Sequence, residues 1–342
     1  MAQRDLTGGL DPSCEYFRPH PPSQLEMRDS ATLWVLDQSG RFALPRVTFD
    51  AIGRDWDRPW VQLNLACEDG RTARVWSQEQ GGLEYNAAAL PAGRWAGPLR
   101  VECLDPFRVW TMDFSGTVQQ TTSEAERTGE QTTVPIGLSF HARAEMAAPP
   151  WVMGGLTAEA ARQMASGDAG ALMGGLRYEQ LCRVTGWIEI DGTRDPIDAT
   201  GMRVRRQGVR NMGAALGHCQ HSALFPSGRA FGAIIMAPGP DGPVAFNEAF
   251  VIMPDGRKLA ACMLDAPWMT RLEQGGDASL RLRTDEGDIL IQGEILLSMF
   301  DHHLFEMADT SVLHQGTVRY SWDGEEAIGL IERCTLRERL KA

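Results

Sequence analysis

The sequence predicts an all-β protein of two antiparallel β-barrels packed together, with a short helix in the connection between them. Short apolar runs alternating with polar residues recur along nearly the whole chain, the pattern of half-buried strands. Asp-Gly pairs punctuate them at Asp69-Gly70, Asp191-Gly192, Asp241-Gly242, Asp255-Gly256 and Asp323-Gly324, the chemistry of tight hairpin turns. Many short strands at hairpin spacing fit a sandwich or a barrel. A chain of 342 residues is long for one domain and comfortable for two, and two halves of similar style, roughly 150 residues each, favour two barrels. The repeat is architectural, with no sequence period.

From the N-terminus, residues 1–13 form a polar, glycine-bearing arm expected to be loosely held. Pro19, Pro21 and Pro22 exclude a helix after it. Residues 31–54 read as two strands around the turn Asp37 to Gly40. The clearest hairpin covers residues 60–78: Val61, Leu63 and Leu65 alternate with polar residues, Asp69-Gly70 turns the chain, and Val75 lies on the return strand. Leu99, Val101 and Cys103 alternate before a break at Pro106, and Val109, Trp110 and Phe114 continue beyond it. The polar stretch Thr121 to Thr133 reads as an exposed loop, and residues 134–146 return as a strand. Residues 147–175 turn to Ala, Gly and Pro, with a short helix in TAEAARQMASG capped by Thr157. The expected division is an N-terminal barrel over 14–150, a connection over 151–175 and a C-terminal barrel over 176–342. Strands of the second half are expected at 183–190, 201–211, 217–225, 230–237, 244–253, 258–264, 279–284, 288–294, 316–322 and 327–335.

The net charge of −12 disfavours a nucleic-acid partner, because phosphate contacts need a basic stripe. The N-terminal residues lack the apolar core of a signal peptide, and no apolar run approaches the roughly 18 residues of a bilayer span. A soluble, cytoplasmic protein with no membrane partner is expected. Seven cysteines, an odd count without a CxxC pair, read as free thiols of a reducing compartment. No G-x-S-x-G elbow, Walker loop, Rossmann fingerprint or H-E-x-x-H motif occurs, so no cofactor is expected. Neither His218, Cys219 and His221 nor Asp301, His302, His303 and Glu306 have the spacing of a metal-ligand set.

Residues 201–210, GMRVRRQGVR, place Arg203, Arg205, Arg206 and Arg210 close together. On a strand, Arg203 and Arg205 share one face, and Met202, Val204 and Arg206 share the other. An arginine turned into a sheet interior must be paired or face a wet cavity; on a solvated face it needs neither. His218 and His221 follow directly. Spacing of three sets them on opposite faces, and one opening into a barrel could act as acid or base near neutrality. Trp34, Trp76 and Trp187 lie on expected strands, where aromatics are more often core than site. Even so, ten Trp and fifteen Met leave enough to wall an apolar-ligand cavity. Tyr178 and Gln180 share a face at spacing two.

The 201–210 segment resembles a motif of the lipocalin-like carotenoid hydratase and AttH superfamily, Gly-x-Arg-Asp-His-Ser-Trp-Gly-x-Arg. Gly201, Arg203, Gly208 and Arg210 match, while Val204, Arg205, Arg206 and Gln207 stand at the Asp, His, Ser and Trp positions. RYEQLCRVTGWIEIDG (177–192) resembles the strand leading into that family's second barrel, and DPFRVWTMDFSG (105–116) a strand pair of its first half. GLIER (329–333) is similar to its closing strand, with Glu332 at the family's glutamate. The resemblance implies two lipocalin-like β-barrels and a hydrophobic oxygenated substrate such as a terpenoid, polyene or steroid. It implies a lyase or isomerase that hydrates, dehydrates, isomerises or cyclises without metal or nucleotide. Such a barrel places a proton donor or holds a flexible chain in a reactive fold. Arg203 and Arg210 are then candidate bidentate donors to a carbonyl or carboxylate. His218 and His221 are candidate acid–base groups, and Glu332 is the arginines' counter-charge or the surviving acid. Tyr178, Gln180, Trp187, Trp34 and Trp76 are expected to contact substrate. Loss of the motif's acid and imidazole leaves two other readings open: a non-catalytic hydrophobic-ligand carrier, and an interaction scaffold with filled barrels. The expected partner is the hydrophobic small molecule, with a homodimer admitted.

Overall fold

The structure is a computed structural model describing residues 5–130, 132–165, 168–211, 217–237, 244–302 and 311–341. The first part of the chain runs through β1 (Met27–Asp37), β2 (Phe42–Ile52), β3 (Trp60–Cys67), β4 (Arg71–Gln78), β5 (Gly81–Glu84), β6 (Gly93–Ala96), β7 (Leu99–Asp105) and β8 (Val109–Thr122). Helix α1 (Ser123–Thr128), β9 (Val134–Met146), β10 (Trp151–Val152), α2 (Ala158–Ala165) and α3 (Asp168–Met173) lead to the long hairpin β11 (Leu176–Ile190) and β12 (Thr193–Val209). The remainder is a succession of strands: β13 (Gly217–Leu224), β14 (Ala230–Met236), β15 (Phe246–Ile252), β16 (Lys258–Asp265), β17 (Leu280–Thr284), β18 (Gly287–Asp301), β19 (Ser311–Trp322) and β20 (Glu325–Leu336).

Both barrels are present. β13 to β20 close into an eight-stranded barrel in sequence order. In the larger sheet, β9 pairs with both β8 and β11. The path β11-β12-β1-β2-β3-β4-β8 thus returns to its start through β9 and closes a second ring of eight. The 60–78 hairpin lies where the alternation and the Asp-Gly turn set it, as β3 and β4.

The division of the chain differs from the expected 176 boundary. β11 and β12 belong to the first barrel, because β12 pairs with β1 from Met27↔Val209 to Asp37↔Ala199. The barrels therefore divide between Val209 and Gly217. The composition change over 147–175 marks helices laid against the junction, where Ala160, Ala169, Leu172 and Met173 are buried. Thr157 does cap α2, its Oγ1 accepting from Ala160 N at 3.0 Å. The stretch read as the loop Thr121 to Thr133 holds the end of β8 and then α1, capped by the Thr122 hydroxyl and ended by Gly129 at φ 78°. Asp241-Gly242, His303 and Glu306 lie outside the described residues.

The three largest apolar clusters among the described residues follow from strand alternation. One fills the first barrel, with Leu33, Val47, Phe49, Val61 and Leu63; another fills the second, with Phe231, Leu282, Val318 and Tyr320. The third joins the outer faces, Trp34, Met202 and Val204 meeting Ile234, Phe250 and Leu330. In the arm expected to be loose, Leu6 is buried; beyond the arm, Phe17 enters the first barrel edge-on to Phe49 and Trp110. Burying such a ring contributes roughly 1.5–3 kcal/mol. All seven cysteines are free thiols. Burial pushes Cys67 up to about 11 and Cys182, Cys219 and Cys334 up to about 12, so these four are unreactive near neutrality. No described helix is long and apolar enough to cross a membrane.

Candidate functional site

The arginine strand β12 splits its side chains between two environments. Arg203 and Arg205 point into the first barrel and are fully buried. Arg203 Nη1 lies 2.8 Å from Glu15 Oε1, its Nη2 donates to Gln180 Oε1 at 2.7 Å, and its guanidinium lies over the Trp110 and Tyr178 rings. Arg205 Nη1 donates to Asp29 Oδ1 at 2.5 Å, and its Nη2 to the Tyr16 carbonyl at 2.9 Å. Glu15 also accepts from the Tyr178 hydroxyl, the Trp110 indole and the Phe107 amide. Burial alone would raise its carboxyl, but Arg203 and these donors hold it below its ordinary value. Glu332 is therefore not the partner of Arg203; it lies on the outer face of the other barrel. Tyr178 and Gln180 do share a face, but it is the filled interior, where Gln180 Nε2 caps the carbonyls of Leu6, Phe107 and Ala148.

The motif's glycines have a steric cause. A Cβ on Gly201 would stand 2.1 Å from the Trp34 carbonyl oxygen, and one on Gly208 2.1 Å from that of Gly174. β12 approaches its neighbours this closely only without side chains there.

The outward face of β12 opens on a cleft between the barrels, of volume about 170 Å³. Trp34 and Trp76 wall it, with Trp76 ring-to-ring with Trp60 at 5.6 Å. The first barrel contributes Arg28, Arg46, Asp50 and Arg206, and the second His218 and Glu332. Arg210 and Arg177 close the side near α3. His218 Nε2 lies 3.0 Å from Glu332 Oε1. The other Glu332 oxygen accepts from Arg46 across the junction and from Gln315 Nε2 at 2.5 Å. Burial would raise this carboxyl, yet Arg46, His218 and Gln315 outweigh it and hold Glu332 well below the carboxylate range.

A depressed carboxyl stabilises the fold above its unfolded value, about 4.3, and loses that contribution as pH falls through the lower folded value. The difference in melting temperature between wild type and Glu332→Gln is thus expected to be constant above pH ~5 and to shrink steadily below pH ~4. Thermal melts from pH 3 to 7 check this, and a difference that grows on acidification would contradict it.

Of the expected site residues, the cleft unites Arg210, His218, Glu332, Trp34 and Trp76. It leaves out Arg203, Tyr178 and Gln180, which are inside the first barrel, and two more. His221 faces into the second barrel, with Nδ1 2.5 Å from the Tyr320 hydroxyl and Nε2 3.1 Å from Cys219 Sγ. Burial, aided by Arg333, pushes it down to about 3, so it is neutral at physiological pH and cannot serve as a proton donor there. Trp187 is stacked under Arg194, 4.0 Å from its ring centroid, away from the cleft. Arg206, Arg28, Arg46 and Arg177 line the cleft without having been singled out for it; the outward position of Arg206 was the one signal present. A larger cavity of about 450 Å³ has mostly apolar walls including Ile235, Trp268 and Met269, and Arg339 is the sole charged side chain among its described lining residues. Among the described residues, no three His, Cys, Asp or Glu side chains converge as metal ligands.

A family model described as a domain of unknown function (DUF7064) matches residues 15–337. No curated protein matches the sequence. Among solved structures, a Nitrosomonas europaea protein described as AttH is similar over 90% of this chain and 91% of its own, at 14% identity and TM-score 0.51. CghA in complex with Sch210972 is similar over 91% of this chain and 88% of its own, at 11% identity and TM-score 0.53. Kievitone hydratase from Nectria haematococca overlaps more loosely, at 10% identity and TM-score 0.43 over 92% and 90% of the two chains. The architecture is thus the two-barrel lipocalin-like one that the 201–210 motif implied.

Proposed function

We propose that this chain, which belongs to the DUF7064 family, is a lyase or isomerase of the hydratase and dehydratase type, acting on a compact oxygenated molecule held between its barrels. The observation that carries the proposal is the His218–Glu332 pair opening on a cleft walled by Trp34 and Trp76. A carrier needs shape and apolar surface; an imidazole backed by a carboxylate is what proton transfer needs. Glu332 accepts the Nε2–H of neutral His218 and leaves the Nδ1 lone pair without a partner among the described residues. Neutral, the ring accepts a proton from a carbon beside a carbonyl. Protonated, it gives one to a hydroxyl leaving as water, with Glu332 stabilising the imidazolium. The arginines offer donors to an oxygen on which negative charge grows.

The cleft volume of about 170 Å³ lies below the roughly 300–1,000 Å³ of sites for drug-sized ligands. It favours a single-ring substrate over a steroid or a long polyene. Incubation of the full chain with cyclic enones, hydroxy acids, keto acids and monoterpenoid alcohols, followed by mass spectrometry and chromatography, tests the reading. Gain or loss of water, or a moved double bond, with wild type but not with His218→Gln supports it. Tight retention of an unchanged compound, with no turnover of any, would favour the carrier instead.

A further inference from the structure

We propose that Arg206, with Arg210 beside it, forms an anion subsite for the carboxylate of a monoanionic substrate, so that the substrate class is a compact apolar carboxylic acid. This rests on the reading of the cleft as the substrate site. Arg206 projects from the outer face of β12 into the cleft and is only 6% exposed. Its guanidinium has neither a hydrogen bond nor an ion pair among the described residues. The neighbouring cations are matched: Arg28 with Asp50 at 2.5 Å, Arg46 with Glu332, and Arg177 with Glu179. Arg210 donates from Nε to the Leu172 carbonyl at 2.8 Å and meets no carboxylate among the described residues. Burial, together with Arg210 and Arg177, pushes Arg206 well below its ordinary range. Burial, with Arg28 and Arg177, likewise brings Arg210 down to about 9. An unmatched buried guanidinium is costly, and this one sits where a ligand enters.

The charges of the described cleft residues favour a monoanion. Among the described residues, Arg206 and Arg210 are the two cleft cations that meet no carboxylate, and Asp301, which shares Arg74 with Glu126, adds one negative charge to the cleft. One negative charge completes the set, whereas a phosphate dianion overshoots it beside Asp50 and Glu332. A carboxylate suits the planar fork of an arginine. The Trp34 indole N–H, buried and without a hydrogen-bond partner among the described residues, lies in the same wall.

Titration of the full chain with cyclohexanecarboxylate, its neutral amide and inorganic phosphate, read by tryptophan fluorescence and calorimetry, tests this. The carboxylate is expected to saturate, with the amide at least tenfold weaker and phosphate no tighter. Arg206→Met should lose roughly 10- to 100-fold in carboxylate affinity, and Arg206→Lys, which keeps the charge but not the fork, should fall between. Without probe, Arg206→Met should melt at or above the wild-type temperature, since an unmatched charge has been removed. No carboxylate binding at millimolar concentration, an equally tight amide, tighter phosphate, or unchanged affinity in the variants would overturn the subsite. So would a lower melting temperature for Arg206→Met, which marks a structural cation. Turnover is not needed in this assay. A neutral substrate consumed alike by wild type and Arg206→Met would sink the anion subsite and leave the His218–Glu332 reading standing; Arg206-dependent carboxylate binding with no turnover would do the reverse.

Discussion

Arg203→Met is expected to destabilise the protein by about 3–5 kcal/mol, the usual cost of leaving one member of a buried ion pair alone. The partner left behind is Glu15, which keeps its hydrogen bonds from Tyr178, Trp110 and the Phe107 amide but loses the cation it pairs with. Glu15→Gln should be costly for the mirror-image reason, leaving a fully buried guanidinium among Trp110, Tyr178 and Gln180. The double variant should recover part of the loss, giving a coupling energy of about 1–3 kcal/mol in a urea-denaturation cycle. The same cycle between Arg203 and Glu332 should give a coupling near zero, because Glu332 faces the cleft and pairs with Arg46 and His218. Strong coupling there, or none with Glu15, would contradict the placement of Arg203 inside the first barrel.

His218→Gln is expected to lower turnover of a substrate found by the panel by about 10²–10⁴-fold, the range for removing a positioned acid or base. Its stability cost should stay near 1 kcal/mol, because the imidazole makes a single hydrogen bond to Glu332 and its side chain remains 18% exposed. Glu332→Gln should cost less in rate, since the amide still accepts from Nε2 but no longer balances an imidazolium. It should cost more in stability, leaving Arg46 without its carboxylate. Equal turnover in wild type and both variants would remove the pair from the chemistry.

Much of the fold was legible because it is local. Alternation and an Asp-Gly turn define β3 and β4, and the same signals place nearly every strand of the second barrel. The allocation of β11 and β12 was not legible, because the barrel a strand joins depends on pairing with a distant edge: β12 finds β1, and β11 finds β9. The helix α1 carried a signal that its polar composition hid, a Thr122 cap before SEAERT and a glycine after it. Alternation along β12 separated Arg203 and Arg205 from Arg206 correctly, and spacing of three separated His218 from His221. Which face looks into a core and which into a cleft is set by the packing of the two barrels. For the same reason Glu15, in a proline-flanked stretch with no periodicity, gave no sign that it is the counter-charge of Arg203. Trp34 and Trp187 read alike on strands, yet one meets the other barrel and the second is covered by its own strand partner's Arg194.

The most direct test of a reaction centre between the barrels compares His218→Gln with His221→Gln, two histidines on one strand facing opposite sides. Steady-state turnover of the panel's best substrate is measured for both, each normalised to folded protein by its melting transition. The expected result is that His218→Gln loses about 10²–10⁴-fold. His221→Gln should keep turnover within roughly tenfold of wild type, because its ring bonds Tyr320 and Cys219 inside the second barrel and is neutral at working pH. The reverse pattern, activity surviving in His218→Gln and lost in folded His221→Gln, would move the chemistry into the barrel and contradict the cleft.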